Sequence, residues 1–162
     1  MEPPLKPVSV LPTSGLDVNF TFTPAQRQQY WQVRQQRLAC KLPHFLVVED
    51  QVFSRGLLRS ALSTLYTQDD VPTVQQGWNM FLEQSPDIIF LDIDLNGESG
   101  HDLARNIKEF DPMAYVVMVT ASHLLQDVRT AKFNRVDGFI GKPFSKQKID
   151  DVIQKYLARG RK

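Results

Sequence analysis

From Pro43 onward the chain alternates short, continuous apolar runs with segments of helical period. Apolar runs without polar alternation are typical of strands buried on both faces, and helical segments between them are typical of crossover connections. The clear strands are predicted at 45–48, 88–91, 115–119 and 138–140, and a weaker one near 71–74. Five strand–helix repeats predict an α/β domain, namely a doubly wound, five-stranded parallel sheet with helices on both faces.

The segments between the strands carry apolar residues at the i, i+3, i+4 spacing of amphipathic helices. The last helix is the clearest, with Ser145 as a candidate N-cap and Gly160 as its expected end. We expect all of these stripes to pack against the sheet. They comprise Phe53, Leu57, Leu58, Ala61, Leu62 and Leu65; Trp78, Phe81 and Leu82; Leu103 and Ile107; Leu124, Leu125 and Val128; and Ile149, Val152, Ile153, Tyr156 and Leu157.

The first 42 residues differ from the rest of the chain. Residues 1–22 are rich in proline and lack a sustained apolar period, so they are predicted to be a flexible tail. Thr23 is a candidate N-cap and Pro24 suits a first helical turn, which predicts a helix from there to about residue 41. The chain is therefore divided into a tail (1–22), an N-terminal helix (23–42) and the α/β domain (43–162).

One side of the predicted N-terminal helix mixes aromatic, aliphatic and arginine side chains, a composition typical of interface cores. We expect the helix either to dock on the α/β domain or to pair two chains, and passive packing against the domain edge stays an open alternative. The residues on that side are Arg27, Tyr30, Trp31, Val33, Arg34, Arg37 and Leu38.

Composition excludes several classes of protein. The formal net charge of +1 disfavours a dedicated nucleic-acid-binding protein, because such domains usually carry a clear basic excess. Cys40 is the only cysteine, which excludes a disulfide framework and a cysteine-based metal site. No signal peptide is predicted, and the apolar runs are too short to span a bilayer. We expect a cytoplasmic protein with no membrane partner.

Chemically active side chains follow the predicted strands at the point where each strand ends. Glu49 and Asp50 follow the first strand, Asp92 follows the third, Thr120 ends the fourth, and Lys142 comes shortly after the fifth. Because parallel strands end at the same edge of a sheet, where ligands bind in such folds, we expect these side chains to converge.

Carboxylates packed together repel each other and partly protonate unless a cation balances them. Lys142 supplies one positive charge, and Mg²⁺, which prefers oxygen ligands, would balance the remainder. Asp92 can then stay ionised and attack a phosphoryl group. Lys142 and Thr120 would stabilise the charge on the transferring oxygens.

This order of motifs resembles the receiver domain of two-component response regulators, of the chemotaxis-regulator-like type. The resemblance rests on an acidic pair after strand one, Asp92 after strand three, Thr120-Ala121 after strand four and Lys142-Pro143 after strand five. It implies the flavodoxin-like strand order 2-1-3-4-5. It also implies a phosphoprotein of a phosphorelay, which takes a phosphoryl group from a histidine kinase or phosphotransfer protein and passes a signal to a downstream protein.

The resemblance assigns a role to each site residue. Asp92 is the expected phosphoacceptor and, with Asp50, a direct ligand of Mg²⁺, for which Mn²⁺ can substitute. Glu49 would reach the metal through water, and the backbone carbonyl of Asp94 would complete the metal site. The remaining roles are phosphoryl binding by Thr120 and Lys142, conformational switching by Thr120 and Phe139, and a cis peptide bond before Pro143.

Two residues depart from the family pattern. Asn96 stands where the family often has a proline ahead of glycine, and asparagine tolerates turn conformations. Asp94 is an unusually charged residue two positions past the acceptor, where it would repel a phosphoryl group or orient water. The lifetime of the phosphorylated state is therefore left open.

The favoured function is a stand-alone receiver, which is a signalling domain and not an enzyme with a separate substrate. Self-catalysed phosphotransfer and autodephosphorylation are implied, with output through partners, the N-terminal extension or a phosphorelay. A homodimer through residues 23–42 or the strand-five face is a further expectation. The open alternatives are a phosphorylation-independent scaffold and a fragment of a hybrid histidine kinase. A phosphatase of the haloacid dehalogenase type is disfavoured, because its Asp-x-Asp motif belongs on the first strand.

Overall fold

The computed structural model describes residues 18–40, 43–62, 67–121 and 124–160. Helices and strands alternate through most of this length. In chain order the elements are α1 (Pro24–Ala39), β1 (His44–Val48), α2 (Val52–Ala61), β2 (Thr67–Val71), α3 (Val74–Gln84), β3 (Ile88–Leu91), β4 (Asp94–Leu95), β5 (Glu98–Ser99), α4 (Gly100–Phe110), β6 (Tyr115–Thr120), α5 (Leu125–Phe133), β7 (Gly138–Gly141) and α6 (Lys146–Arg159).

Five of the strands form one parallel sheet in the order β2-β1-β3-β6-β7. The other two, β4 and β5, form a short antiparallel hairpin that pairs Asp94 with Ser99 and Leu95 with Glu98. When the hairpin strands are left out of the numbering, the sheet order is 2-1-3-4-5. The predicted fold is confirmed.

Each face of the sheet has its own apolar core, because successive side chains of a strand point to opposite faces. Leu46 and Ile89 contribute to the core that α3 and α4 cover. Phe45 and Phe90 contribute to the opposite core, which α2 and α6 cover. The three central strands are buried along their whole length, as continuous apolar runs predict.

The second strand lies earlier in the chain than predicted. It spans Thr67–Val71, whereas Val74 is already the first residue of α3. Its residues are mostly polar because β2 is an edge strand of the sheet and only half buried. Asp69 accepts a hydrogen bond from His44, and Asp70 forms an ion pair with Arg59. A search for apolar runs therefore misses this strand.

Two of the predicted apolar stripes face the core only in part. Phe53 on α2 is 77% exposed, and Leu124 and Leu125 at the start of α5 are 68% and 61% exposed. These two helices bury mainly Leu58, Ala61 and Ala131. Leu57 is 46% exposed, and Leu65 lies outside the described residues. The stripes of α3, α4 and α6 are largely buried as predicted.

Helix α1 begins where the sequence predicts and is docked on the domain. The Thr23 side chain accepts a hydrogen bond from Gln26 N, and the Gln26 side chain accepts one from Thr23 N, which forms a capping box. The helix ends at Ala39, slightly earlier than predicted. Tyr30 and Arg34 are buried, and the helix packs along α3.

The chain ahead of α1 is also packed, as far as the structure describes it. Val18 and Phe20 are buried, and the indole nitrogen of Trp78 donates a hydrogen bond to Thr21 O at 2.9 Å. Asn19 N donates to the Gln75 side chain at 2.7 Å. The prediction of a flexible tail is therefore wrong for residues 18–22. The segment is too short for its few apolar residues to form a recognisable periodic pattern. Residues 1–17 lie outside the described residues.

A buried carboxylate joins α1 to the amino-terminal edge of the sheet. Asp87 is fully buried just ahead of β3, where it accepts hydrogen bonds from His44 N at 2.8 Å and the Tyr156 hydroxyl at 2.6 Å. Arg34 Nη1 lies 3.3 Å from the same carboxylate. A buried charge requires such compensation, so this network ties β1, β3, α1 and α6 together.

A second buried contact holds the middle of α1. The Tyr30 hydroxyl donates a hydrogen bond to Asp111 Oδ2 at 2.7 Å. Burial, together with the negative charge of Asp111, raises the pKa of Tyr30, so the hydroxyl stays protonated and continues to donate. The Tyr30 ring also packs between Phe81 and Phe110, which extends the core onto the helix.

The Arg34→Met variant should lower the free energy of unfolding by about 3 kcal/mol, because it leaves the buried Asp87 charge without its cationic partner. Urea denaturation followed by circular dichroism measures this loss. The matched control is Arg129→Met on the exposed side of α5, which should change stability little. Equal stability of the two variants would show that Arg34 does not anchor the helix.

His44 is a buried titratable group at the same edge. Its ring nitrogens lie 2.7 Å from Thr67 Oγ1 and 2.8 Å from Asp69 Oδ2. Burial lowers the pKa of His44 below the ordinary value of 6.5, and the positive charge of Arg37 lowers it further, although Asp69 opposes both effects. The folded protein therefore favours the neutral imidazole.

Stability should fall as the pH decreases below about 6.5, because the unfolded chain then takes up a proton at His44 more readily than the folded protein. The fall should level off once the pH drops below the lowered pKa of the folded state. Urea midpoints at pH 7.5 and 5.5 measure the difference for wild type and for His44→Asn. We expect a larger fall in wild type, and equal falls would contradict the assignment.

Candidate functional site

The side chains predicted to converge lie at the carboxyl edge of the sheet. Glu49 and Asp50 follow β1, Asp92 follows β3, Thr120 is the last residue of β6, and Lys142 follows β7. The backbone ladder continues past the strand ends. It includes hydrogen bonds from Glu49 N to Val71 O and from Asp92 N to Val48 O, both at 3.0 Å, and from Lys142 N to Thr120 O at 2.8 Å. The sheet itself therefore fixes where these residues sit.

Lys142 is the cation at the centre of this group. Its ammonium lies 2.6 Å from Glu49 Oε2 and 3.0 Å from Asp92 Oδ2. Burial, the largest single effect, lowers the pKa of Lys142, but the two carboxylates together outweigh it and raise the pKa above its ordinary value. Lys142 is therefore charged at neutral pH and holds the carboxylates of two different strands.

Glu49 is the most buried carboxylate of the group and is 1% exposed. Burial raises the pKa of Glu49, although its hydrogen bonds with Lys142 and Gln51 N oppose this effect. Arg55 Nη1 donates to the backbone oxygen of Glu49 at 3.0 Å, which fixes the main chain next to the carboxylate. Both oxygens of the Glu49 side chain are thus occupied by partners from the protein.

The carboxylate oxygens of this group together suit a hard divalent cation. Oxygens of Glu49, Asp50 and Asp92 all lie within 4.8 Å of one another. Asp50 Oδ1 is buried and has no hydrogen-bond partner among the described residues. One ammonium cannot neutralise three carboxylates, and an all-oxygen set with an unpaired buried oxygen fits Mg²⁺.

Asp94 lies beside this cluster without joining it through its side chain. The carboxylate is exposed, and Oδ1 accepts a hydrogen bond from Gly97 N at 3.3 Å across the turn of the hairpin. Asn96 in that turn adopts φ 52°, a left-handed conformation that asparagine tolerates better than most residues. The Asp94 carboxylate therefore faces its own turn, and only its backbone carbonyl is a candidate ligand.

Gly100 is a site residue that sequence reasoning did not single out. Its N–H donates to Ile93 O at 2.7 Å, and a Cβ at this position would lie 1.9 Å from the backbone oxygen of Asp92. A side chain would therefore push the acceptor loop away from the start of α4. The available signal was a glycine at a helix start directly after the acceptor loop.

Thr120 and Phe139 lie on neighbouring strands. Thr120 is buried and pairs with Gly141, and Phe139 pairs with Met118 two positions earlier. The Phe139 ring is half-buried and packs against the core under α3 and α4. The peptide bond between Lys142 and Pro143 is cis.

Large apolar side chains are exposed next to the cluster. Helix α2 starts two residues after Asp50, and its first residues Val52 and Phe53 are 74% and 77% exposed. Contiguous exposed apolar patches are typical of interaction surfaces, and these two neighbouring side chains are candidates for one. No helix in the described part of the chain is long and apolar enough to cross a membrane.

Comparison with known proteins identifies a family whose sequence pattern this chain shares. The family model of the response regulator receiver domain matches residues 45–154. The chain is 32% identical over 113 residues to the chemotaxis protein CheY of Halobacterium salinarum, which covers 69% of this chain and 94% of that protein. It is 28% identical over 116 residues to the sensory transduction protein LytT of Bacillus subtilis, which covers 68% of this chain and 46% of LytT.

This chain therefore spans about half the length of the LytT-type relatives that it matches. Solved structures share the fold at lower identity. A CheY-like receiver domain protein from Methanospirillum hungatei has a TM-score of 0.70 at 20% identity and covers 74% of this chain and 96% of its own. The beryllofluoride-activated DrrB receiver domain has a TM-score of 0.68 at 23% identity and covers 73% and 99%.

Saturating Mg²⁺ should raise the melting temperature of the wild-type protein relative to the same protein in EDTA. A ligand at about 100 times its dissociation constant stabilises the folded state by about 2.7 kcal/mol. Asp50→Asn should lose most of this gain because it removes a charged oxygen from the cluster. The control Asp94→Asn keeps its backbone carbonyl and should retain the gain. A full Mg²⁺ response in Asp50→Asn would place the ion elsewhere.

Proposed function

The chain belongs to the response regulator receiver domain family, and we propose that it accepts a phosphoryl group on Asp92 from a phosphohistidine donor and signals through a changed protein-binding face. Receiver domains are signalling domains and not classical enzymes. The observation that carries the proposal is the contact of Asp92 with Lys142 inside an acidic cluster at the carboxyl edge of the sheet.

The donor must reach Asp92 from the open side of this edge. The exposed apolar start of α2, with Val52, Phe53 and Leu57, borders the acidic cluster and offers a protein donor a surface to cover. A histidine kinase or phosphotransfer protein that presents a phosphohistidine fits this requirement.

In the transfer, an oxygen of Asp92 attacks phosphorus, and the phosphorus–nitrogen bond of the donor breaks. Its electron pair returns to the imidazole, which takes a proton from solvent. Mg²⁺ held by Asp50, Asp92 and the carbonyl of Asp94, with Glu49 acting through water, would supply charge stabilisation on the phosphoryl oxygens. Mn²⁺ meets the same ligand preference.

Lys142 and Thr120 act on the transferred group. The ammonium of Lys142 pairs with Asp92 and would pair with a phosphoryl oxygen after transfer. The Thr120 hydroxyl would donate a hydrogen bond to another of these oxygens. These contacts would strengthen as negative charge builds up on the acceptor.

The signal would leave through the face built by β7 and its flanking helices. Thr120 and Phe139 lie on adjacent strands, which supports a switch in which a shift of Thr120 toward the phosphoryl group would open space for the half-buried Phe139 ring. Leu124, directly ahead of α5, and Leu125 and Phe133 within this helix are exposed, and Phe133 is 84% exposed. This apolar surface supports a downstream protein as the partner.

Incubation with acetyl phosphate and Mg²⁺ should add the mass of one phosphoryl group to the wild-type protein, measured by intact mass spectrometry. Asp92→Asn should add none, because the amide is not a nucleophile for this transfer. The control Asp94→Asn changes the neighbouring carboxylate and should still be modified. Phosphorylation of Asp92→Asn would show that another residue is the acceptor.

An unmodified wild-type protein would leave two explanations, which beryllofluoride separates. If Mg²⁺ with beryllofluoride raises the melting temperature, the site binds a phosphoryl mimic and the covalent state is short-lived. If it does not, the protein is a phosphorylation-independent scaffold.

A further inference from the structure

Each charged side chain of α1 contacts a group of the same chain. Arg34 pairs with Asp87, and Arg37 donates to the backbone and side-chain oxygens of Gln84, both at 3.0 Å. The guanidinium of Arg27 lies 6.0 Å from the centre of the Phe110 ring. The helix has no acidic residue and no lysine. The fully exposed residues of the helix are therefore all uncharged, and the half-buried Arg27 and Arg37 border them, although 23% of the residues in the chain are charged.

This uncharged surface carries a regular stripe of residues. They are spaced alternately by four and three positions, which is the spacing of a seam between two paired helices. Trp31 and Leu38, seven residues apart, are each 39% exposed and supply its apolar positions. We call this stripe the α1 seam; it consists of Pro24, Gln28, Trp31, Gln35 and Leu38, all exposed.

The α1 seam is also shaped to receive another chain. A shallow groove of about 390 Å³ runs along it and is lined by Arg27, Gln28, Trp31, Gln32 and Gln35. The floor is firm because Trp31 stacks on Phe110, with ring centroids 6.3 Å apart. The contacts of Tyr30 and Arg34 hold the whole helix in place. Pairing on this face would thus require little additional ordering of the helix.

We propose that the α1 seam pairs with the α1 seam of a second copy of this chain. In a two-fold contact each patch meets itself, so a charged patch would repel, whereas an uncharged one does not. Glutamine carries both a donor and an acceptor, so Gln28 and Gln35 can bond to the same residues of the other copy. A highly charged partner such as nucleic acid would find no charged residue in the α1 seam and only the half-buried Arg27 beside it.

The expected dimer is weak and depends on concentration. Helix α1 has 16 residues, so a contact between two such helices lies at the small end of specific interfaces. Trp31 would be its anchor, since a large ring at the centre of an interface contributes much of the binding energy. The pairing does not require phosphoryl transfer, so its failure leaves the proposed function untouched.

Sedimentation velocity of the full chain without phosphodonor, over a range of concentrations, measures the dissociation constant. Gln28→Glu with Gln35→Glu places like charges across the contact and should raise this constant at least about tenfold. Gln28→Lys with Gln35→Lys should do the same. An equimolar mixture of the two double variants should recover dimer, because opposite charges then meet. The controls Gln154→Glu and Gln154→Lys, on the exposed side of α6, should leave the dissociation constant unchanged.

Trp31 provides a second readout in the same samples. Of the two tryptophans, Trp78 is 1% exposed, so acrylamide quenching reports mainly on Trp31. Quenching should decrease with concentration in wild type and stay constant in each double variant. The proposal is overturned if wild type is a monomer throughout, if dimer persists in both double variants, or if their mixture stays monomeric.

Discussion

All five strands of the sheet run in the same direction, so one edge collects their carboxyl ends and the other their amino ends. Strand β3 carries a buried aspartate at each edge. Asp87 at the amino edge is compensated by His44 N, the Tyr156 hydroxyl and Arg34, which forms a closed structural network. Asp92 at the carboxyl edge shares Lys142 with Glu49 and lies beside an Asp50 oxygen without a partner among the described residues. This excess of negative charge is what distinguishes the candidate site at the carboxyl edge from the structural network at the amino edge, since buried carboxylates are normally fully paired.

Helix α4 connects the site to the N-terminal extension. It begins at Gly100, which lies against the backbone oxygen of Asp92, and ends at Phe110, whose ring packs against Phe22, Tyr30 and Trp31. The extension thus completes the core on one face of the sheet and is part of the folded domain. This explains why its arginines point inward. Arg34 pairs with the buried Asp87, Arg37 donates to oxygens of Gln84, and Arg27 lies over the Phe110 ring.

The sequence was informative where burial leaves a simple pattern. The three fully buried strands were predicted as continuous apolar runs, and the site residues as the polar positions that follow them. The strand order came from the family resemblance, because periodicity does not determine which strands are neighbours. Strand β2 was misplaced since an edge strand can be mostly polar. Gly100 was missed because its role depends on the approach of Asp92 from another segment, which a linear pattern does not contain.

The helical spacing of apolar residues also did not show which apolar helix faces pack against the rest of the domain. A helix can carry more apolar surface than its neighbours bury, and the surplus then serves other molecules. Phe53 on α2 lies close to the acidic cluster, Phe133 is exposed at the end of α5, and Trp31 lies on the outer side of α1. The extension itself packs on α3, so the apolar surface of α3 is covered by the same chain. The α1 seam combines exposed apolar and glutamine side chains and contains no charged residue, which suits it to a second copy of itself.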